Sequence, residues 1–186
     1  MSTARDQILQ TTCTLLEKQG YHGTGLNEIV KESGAPKGSL YYYFPDGKEQ
    51  ITSEAILESS RTTAERIRAN LQNTENAAKA IHDFILLVAE NVEHSGFAAG
   101  SPLTAVAMET ATKSERINLA CRESYSMLQT AFKEKLIASG FAKPKADELA
   151  TFIVASVEGG IILSRTYHTV DPLRLVAKQL KLLISN

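Results

Sequence analysis

Apolar residues recur at helical spacing along almost the whole chain, and strand-like alternation is nearly absent. Ile8, Leu15 and Leu16, with Thr12 or Cys13 between them, line one side of a first helix. Leu26, Ile29 and Val30 do so in a second, and Ile81, Phe84, Ile85 and Val88 in a fifth. The pattern predicts an all-α chain of about nine helices, over 3–19, 26–32, 37–43, 48–71, 75–92, 103–110, 114–139, 145–167 and 172–184. Gly20 and Gly140 suit positions just past a helix end. Gly34 can supply the positive φ of a tight turn, and Pro36 suits the start of the next helix. Pro45-Asp46-Gly47 stops the short third helix, and His94 to Pro102 reads as irregular. The fourth helix would be about 35 Å long and would link two domains, 1–47 and 48–186.

Of the 186 residues 43% are hydrophobic and 22% charged, a composition that can bury a core and argues against disorder. No run of about 18 apolar residues exists, so no membrane span is expected. The most apolar stretch, Phe152 to Leu163, is broken by Ser156, Glu158, Gly159 and Gly160. Residues 1–20 carry Arg5, Asp6, Glu17 and Lys18 and do not read as a leader, so a cytoplasmic location is expected. Cys13 and Cys121 stand alone and read as core thiols in a reducing compartment. Among His22, His82, His94 and His168, only His94 has a helical i,i+4 partner, Glu90, and no third ligand is suitably spaced. No GxSxG elbow or phosphate-binding glycine loop appears, so neither an enzyme nor a metal or other cofactor is expected. The net charge of −1 does not announce a nucleic-acid binder, and any such reading must rest on local chemistry.

That chemistry lies in the first 48 residues. A helix, a tight glycine turn and a short helix form the helix-turn-helix pattern, whose second member enters the DNA major groove. Here that member is Lys37-Gly38-Ser39-Leu40-Tyr41-Tyr42-Tyr43. Lys37 can reach a base edge or a phosphate, and Gly38 lets backbone and bases approach closely. Ser39 can donate to a phosphate. Leu40 and Phe44, four apart, share a face and should enter the core. Three consecutive tyrosines cannot all do so, and at least one must carry its hydroxyl outward. Lys48 opens the following helix beside this surface. The spacing alone also fits a structural helical hairpin with aromatic core residues.

The stretches Gly20-Tyr21-His22-Gly23-Thr24-Gly25-Leu26-Asn27-Glu28-Ile29-Val30 and Gly34-Ala35-Pro36-Lys37-Gly38-Ser39-Leu40-Tyr41-Tyr42-Tyr43-Phe44 resemble the TetR family of bacterial repressors. Pro45-Asp46-Gly47-Lys48-Glu49 is similar to its LmrA/YxaF-like branch, with weaker likeness at Gly100-Ser101-Pro102-Leu103 and Val157-Glu158-Gly159-Gly160-Ile161. The resemblance implies an all-α homodimer with an N-terminal three-helix DNA-binding domain and a C-terminal helical domain for ligand binding and dimerisation. It places DNA contacts on Asn27, Lys37, Gly38, Ser39, Tyr41, Tyr42, Tyr43 and Lys48, with Thr24 near the backbone. Two positions depart from the family pattern: Gly25 replaces a usual Thr helix cap, and Asn27 a frequent Arg. Asn can still bond an adenine edge bidentately. Arg5, Lys18, Lys31, Lys37 and Lys48 are matched one for one by Asp6, Glu17, Glu28, Glu32 and Asp46, so few phosphate contacts are expected per subunit.

The last two helices read as a dimer interface, through Phe152, Ala155, Ser156, Gly159, Gly160 and Leu163 on one and Leu173, Leu175, Val176, Leu180 and Leu183 on the other. Two glycines inside a helix cost about 1 kcal/mol each relative to alanine, which a close helix–helix approach would explain. An intramolecular core is the alternative reading. The resemblance also implies a ligand cavity, with Phe84, Val88, Phe97, Leu103, Met108, Tyr125, Leu128, Phe132 and Phe152 as candidate lining. Glu158, a carboxylate in the most apolar stretch, needs a partner there, which a ligand hydroxyl, Tyr167 or the other subunit could supply. A mainly apolar lining suits a hydrophobic or aromatic molecule; the branch suggests flavonoid-like compounds or lipophilic drugs. The expected function is a repressor that leaves a pseudo-palindromic operator when such an effector binds. The rival is a helical small-molecule-binding adaptor that does not bind DNA.

Overall fold

The computed structural model describes residues 3–110 and 112–185. Among the described residues there are nine helices and no strand. They are α1 (Ala4–Gly23), α2 (Leu26–Ser33), α3 (Lys37–Tyr43), α4 (Lys48–Leu71), α5 (Ala77–His94), α6 (Pro102–Thr110), α7 (Glu115–Ala138), α8 (Lys143–Tyr167) and α9 (Asp171–Ser185). Two compact units can be separated, 1–61 with 101–124, and 62–100 with 125–186. The segment 1–47 lies inside the first, which also takes in α6 because α6 packs on α1.

The first unit is built around a small core. Thr3 caps α1 in a reciprocal box, its hydroxyl accepting from the Asp6 N–H while the Asp6 carboxylate accepts from the Thr3 N–H. Hydrogen bonding of the Asp6 carboxylate by Thr3, through its backbone N–H first and its side chain second, holds that carboxyl below its usual range. Ile8, Leu9 and Leu15 from α1 meet Ile29, Leu40, Phe44, Ile51 and Ala55. Thr12 and Cys13 both belong to the inward side. Thr12 is fully buried and returns its hydroxyl to Ile8 O, and Cys13 donates Sγ–H to Ala55 O. Arg5 pairs with Glu54 at 2.6 Å.

The first helix differs from expectation at its end. Gly20 adopts φ 71°, ψ −176°, and the chain then resumes one more helical turn to Gly23 in place of a loose connector. α2 ends on Gly34 at φ 65°, the left-handed conformation that glycine adopts cheaply. Pro36 is the residue before the first turn of α3, with φ −55° and ψ 135°.

In the second unit α9 packs along α5 and α8. Asn76 caps α5 by accepting from Lys79 N, and Ala77, Ala80, Ile81, Phe84, Ile85, Ala89 and Val92 turn inward. Phe84 meets Phe132 edge to face at 5.7 Å. The link from α5 towards α6 is strapped to the end of α8. Gly96 and Phe97 both take positive φ, Phe97 O accepts from Arg165 Nε at 3.3 Å, and the Phe97 ring meets His168 at 5.4 Å. A Cβ on Gly100 would overlap the Arg165 guanidinium, so a side chain there would push aside the end of Arg165.

Candidate nucleic-acid interface

The short helix α3 is held by its two largest apolar anchors. Leu40 and Phe44 are fully buried, and Phe44 N–H closes the helix on Leu40 O at 2.9 Å. Burying those two, four residues apart, turns the rest of the helix out. Tyr41 is 51% exposed and Tyr42 78%, while Tyr43 is 36% exposed and stacks its edge on Tyr42 at 5.0 Å. Lys37 and Gly38 are exposed and Ser39 is half-buried. A Cβ added to Gly38 would meet nothing within 4 Å, so nothing in the folded chain requires glycine there. Asn27, on α2, is exposed as well. Lys37, Gly38, Tyr41, Tyr42 and Asn27 can therefore all be reached from solvent.

Two of the expected contact residues are engaged elsewhere. Thr24 is 1% exposed, and its hydroxyl donates to Gly20 O at 2.7 Å, so it fastens the kink of α1 and has no proton left for a phosphate. Lys48 is half-buried, its ammonium 4.3 Å from the Tyr21 ring centroid, a cation–π distance. Desolvation there lowers its pKa, opposed by the charge of Glu109. Asp46, just past the end of α3, is matched by Arg116 at 2.8 Å. Gly25 stands at the N-cap of α2 without a side-chain bond, which leaves the first amides of that helix open.

A second surface lies on α8 and α9. Phe152, Ala155 and Leu163 are exposed, with Ser156 and Gly159 half-buried, at the expected spacing along α8. On α9 Leu183 is exposed and Val176 half-buried. Leu175, also expected there, is exposed, and Ile162, Tyr167 and Leu182 extend the apolar exposure. The i,i+3/i+4 rows that continue from Phe152 and Leu183 could have found these from spacing alone. Gly160, Leu173 and Leu180 are corrections to the expected interface, Leu173 being fully buried within the protomer. A Cβ on Gly160 would press on Leu173 and Val176, so its bare face admits α9 of the same chain, and Leu180 is 1% exposed within the protomer. Gly159, by contrast, faces open space.

The candidate ligand-lining residues do not behave alike. Phe84, Leu103, Leu128 and Phe132 are buried, and Val88, Phe97, Tyr125 and Glu158 half-buried. Met108, 79% exposed on α6, and Phe152, 54% exposed on α8, point to solvent and are corrected as lining residues. Phe97 is taken up by the strap to α8. An open cavity of about 870 Å³ at the start of α5 is lined by Glu75, Asn76, Lys135, Ser139, Phe141 and Ile184 among others, none of them an expected residue.

Burial raises the thiol pKa of both Cys13 and Cys121 to about 11. Both are therefore protonated near neutrality, the opposite of what a nucleophile needs. His94 Nδ1 lies 2.8 Å from the backbone O of Glu90, so the i,i+4 pair is a main-chain contact. Among the described residues no group of three or more His, Cys, Asp or Glu side chains could hold a metal ion, and no helix is long and apolar enough to cross a membrane.

Residues 8–55 match the family model for bacterial regulatory proteins of the tetR family, and 77–179 that for the C-terminal domain of LmrA/YxaF-like transcriptional regulators. The chain is 39% identical over 181 residues to the HTH-type transcriptional regulator YxaF of Bacillus subtilis, covering 97% of this chain and 95% of that one. It is 39% identical over 170 residues to the HTH-type transcriptional regulator LmrA of the same organism, covering 91% and 90%. Its fold is similar to that of E. coli NemR in reduced form, with TM-score 0.84, 22% identity and 96% of each chain covered. It is also similar to a cysteine mutant of the TetR-family regulator CifR complexed with a 26 bp operator duplex, with TM-score 0.79, 22% identity and coverage of 97% and 96%.

Proposed function

The chain belongs to the TetR family of helix-turn-helix transcriptional regulators, in its LmrA/YxaF-like branch, and from that premise we propose that it is a homodimeric repressor that leaves its operator when a hydrophobic or aromatic molecule binds the C-terminal domain. The observation that carries the proposal is the exposed face of α3. Tyr42 lies 78% in solvent between two fully buried anchors, beside an exposed lysine and a glycine with open space around it. A hairpin built only for its core would have no use for that arrangement.

In the proposed complex α3 lies in the major groove. Lys37 and Asn27 meet base edges or phosphates, and Gly38 lets the backbone close on the duplex. The tyrosine hydroxyls and Ser39 bond phosphates, as does Lys48 if it leaves Tyr21. Residues 1–47 carry this reading surface and 48–186 carry pairing and sensing. Two chains joined through Phe152, Ala155, Ser156, Gly159, Leu163, Val176 and Leu183 would read two half-sites related by a two-fold, hence a pseudo-palindrome. The proposed effector site draws on Phe84, Val88, Leu128, Phe132 and Tyr125, with Glu158 as its polar anchor.

Induction is then a population shift. Moving the chain from about 99% binding-competent to about 1% requires an effector that prefers the non-binding state by about 5.5 kcal/mol. Selection of bound sequences from a random duplex pool tests the reading. The expected result is enrichment of one inverted repeat with half-sites about one helical turn apart. Enrichment of no sequence, or of single-stranded segments only, would reject it and favour an adaptor that binds no DNA.

A further inference from the structure

We propose that Glu109 is a positioning residue for DNA reading: from α6 its carboxylate caps the restarted last turn of α1 and thereby sets the helix-turn-helix pair. The role rests on the DNA reading above. All the residues involved lie in the first unit.

The interruption at Gly20 creates the need. A helix that restarts exposes amide N–H groups with no carbonyl one turn behind them. Here those of Tyr21 and His22 donate to Glu109 Oε1 at 3.2 Å and Oε2 at 2.8 Å. One carboxylate takes both, and charge-assisted bonds of this kind are the stronger sort. The fit is steric as well. A Cβ built on Gly20 would overlap Glu109 Oε1, so the carboxylate fills the space that a side chain at position 20 would need.

The joint is fastened from its other sides. Thr24 bonds Gly20 O through its hydroxyl and Tyr21 O through its N–H. Gln19 Nε2 bridges Gly23 O and Glu28 on α2. Lys48 stacks on Tyr21 and feels the Glu109 charge. Only Gly25 separates this joint from α2, and α2 and α3 both pack on the body of α1 through the shared core of Ile29, Leu40 and Phe44. The direction in which the turn restarts therefore sets where the chain enters α2, while the shared core seats the pair on α1. Glu109 reaches this joint from about 88 positions away in sequence, and Lys113 follows it, its ammonium 3.5 Å from His22 Nε2. Whatever moves α6 loosens the head at this point.

The isosteric Glu109→Gln in the full chain tests the role, because two explanations predict opposite signs. Were Glu109 only a surface charge, removing it would strengthen binding to a polyanion. As the cap, its loss weakens binding, since an amide offers one acceptor oxygen where two are used. Affinity is measured on a duplex enriched by the wild-type chain, at a temperature where far-ultraviolet dichroism shows both chains folded. Amide hydrogen exchange is read at Tyr21 and His22.

The expected result is about tenfold weaker binding, the scale of one charge-assisted hydrogen bond, with faster exchange confined to those two amides and their neighbours. Binding by the folded variant that is equal or tighter would overturn the role, as would weaker binding with unchanged exchange at both amides. If the wild-type chain enriches no duplex, the DNA reading and this role fall together, while exchange at Tyr21 and His22 still reports whether the cap exists.

Discussion

Gly38 and its neighbours separate what folding needs from what binding needs. A glycine inside an exposed helix costs about 1 kcal/mol relative to alanine, and here no contact within the chain explains it. Gly38→Ala should therefore raise the melting temperature by a few degrees, as a gain below about 1 kcal/mol would. The same methyl group should weaken binding of the enriched duplex by tenfold or more, because it stands where backbone and bases are to meet. A variant that is more stable and binds as well as the parent would remove Gly38 from the reading surface. Much of this surface was legible in the sequence. Leu40 and Phe44 share a helical face, so burying them had to turn Tyr42 out. Thr24 was not legible, since its hydroxyl partner is a carbonyl exposed by a kink that no local pattern announces. Glu109 was hidden for the same reason, being a lone carboxylate whose partners lie far away in sequence.

At the scale of the helix, periodicity reported the elements closely and most of their ends, the kinked end of α1 excepted, because most ends carry their own chemistry. Thr3, Gly34 and Asn76 sit at termini for reasons of capping or backbone conformation. Periodicity was weaker at deciding which partner a face meets. Gly159 and Gly160 are adjacent and equally small, yet one admits α9 and the other faces open space. The same limit applies to Met108, which is apolar and helical and nonetheless exposed. The row Phe152, Ser156, Gly159, Leu163 along α8 remains an unfilled apolar stripe in the single chain. Phe152→Glu tests its proposed use in pairing. An exposed position tolerates the charge in the monomer, so the variant should fold, while two carboxylates facing across a two-fold should prevent association. Sedimentation equilibrium should then give a species near the chain mass of 20.3 kDa where the parent gives twice that value. A variant that still sediments as a dimer would assign pairing to another surface.

For the whole molecule, charge and its placement decide how DNA can be held. The chain is nearly neutral, so attraction to DNA must come from a few well-placed groups and not from a general field. Such a protein should bind with modest salt dependence, roughly 0.9 log unit of affinity per log unit of salt for each phosphate neutralised. The most direct measurement is fluorescence anisotropy of an enriched duplex titrated with the parent chain and with Lys37→Ala/Tyr42→Ala, beginning at low salt and repeated as salt rises. The account predicts saturable binding by the parent that weakens log-linearly with salt, and at least tenfold weaker binding by the double variant at an unchanged melting temperature. Equal binding by the two proteins, or none by the parent at low salt, would contradict it.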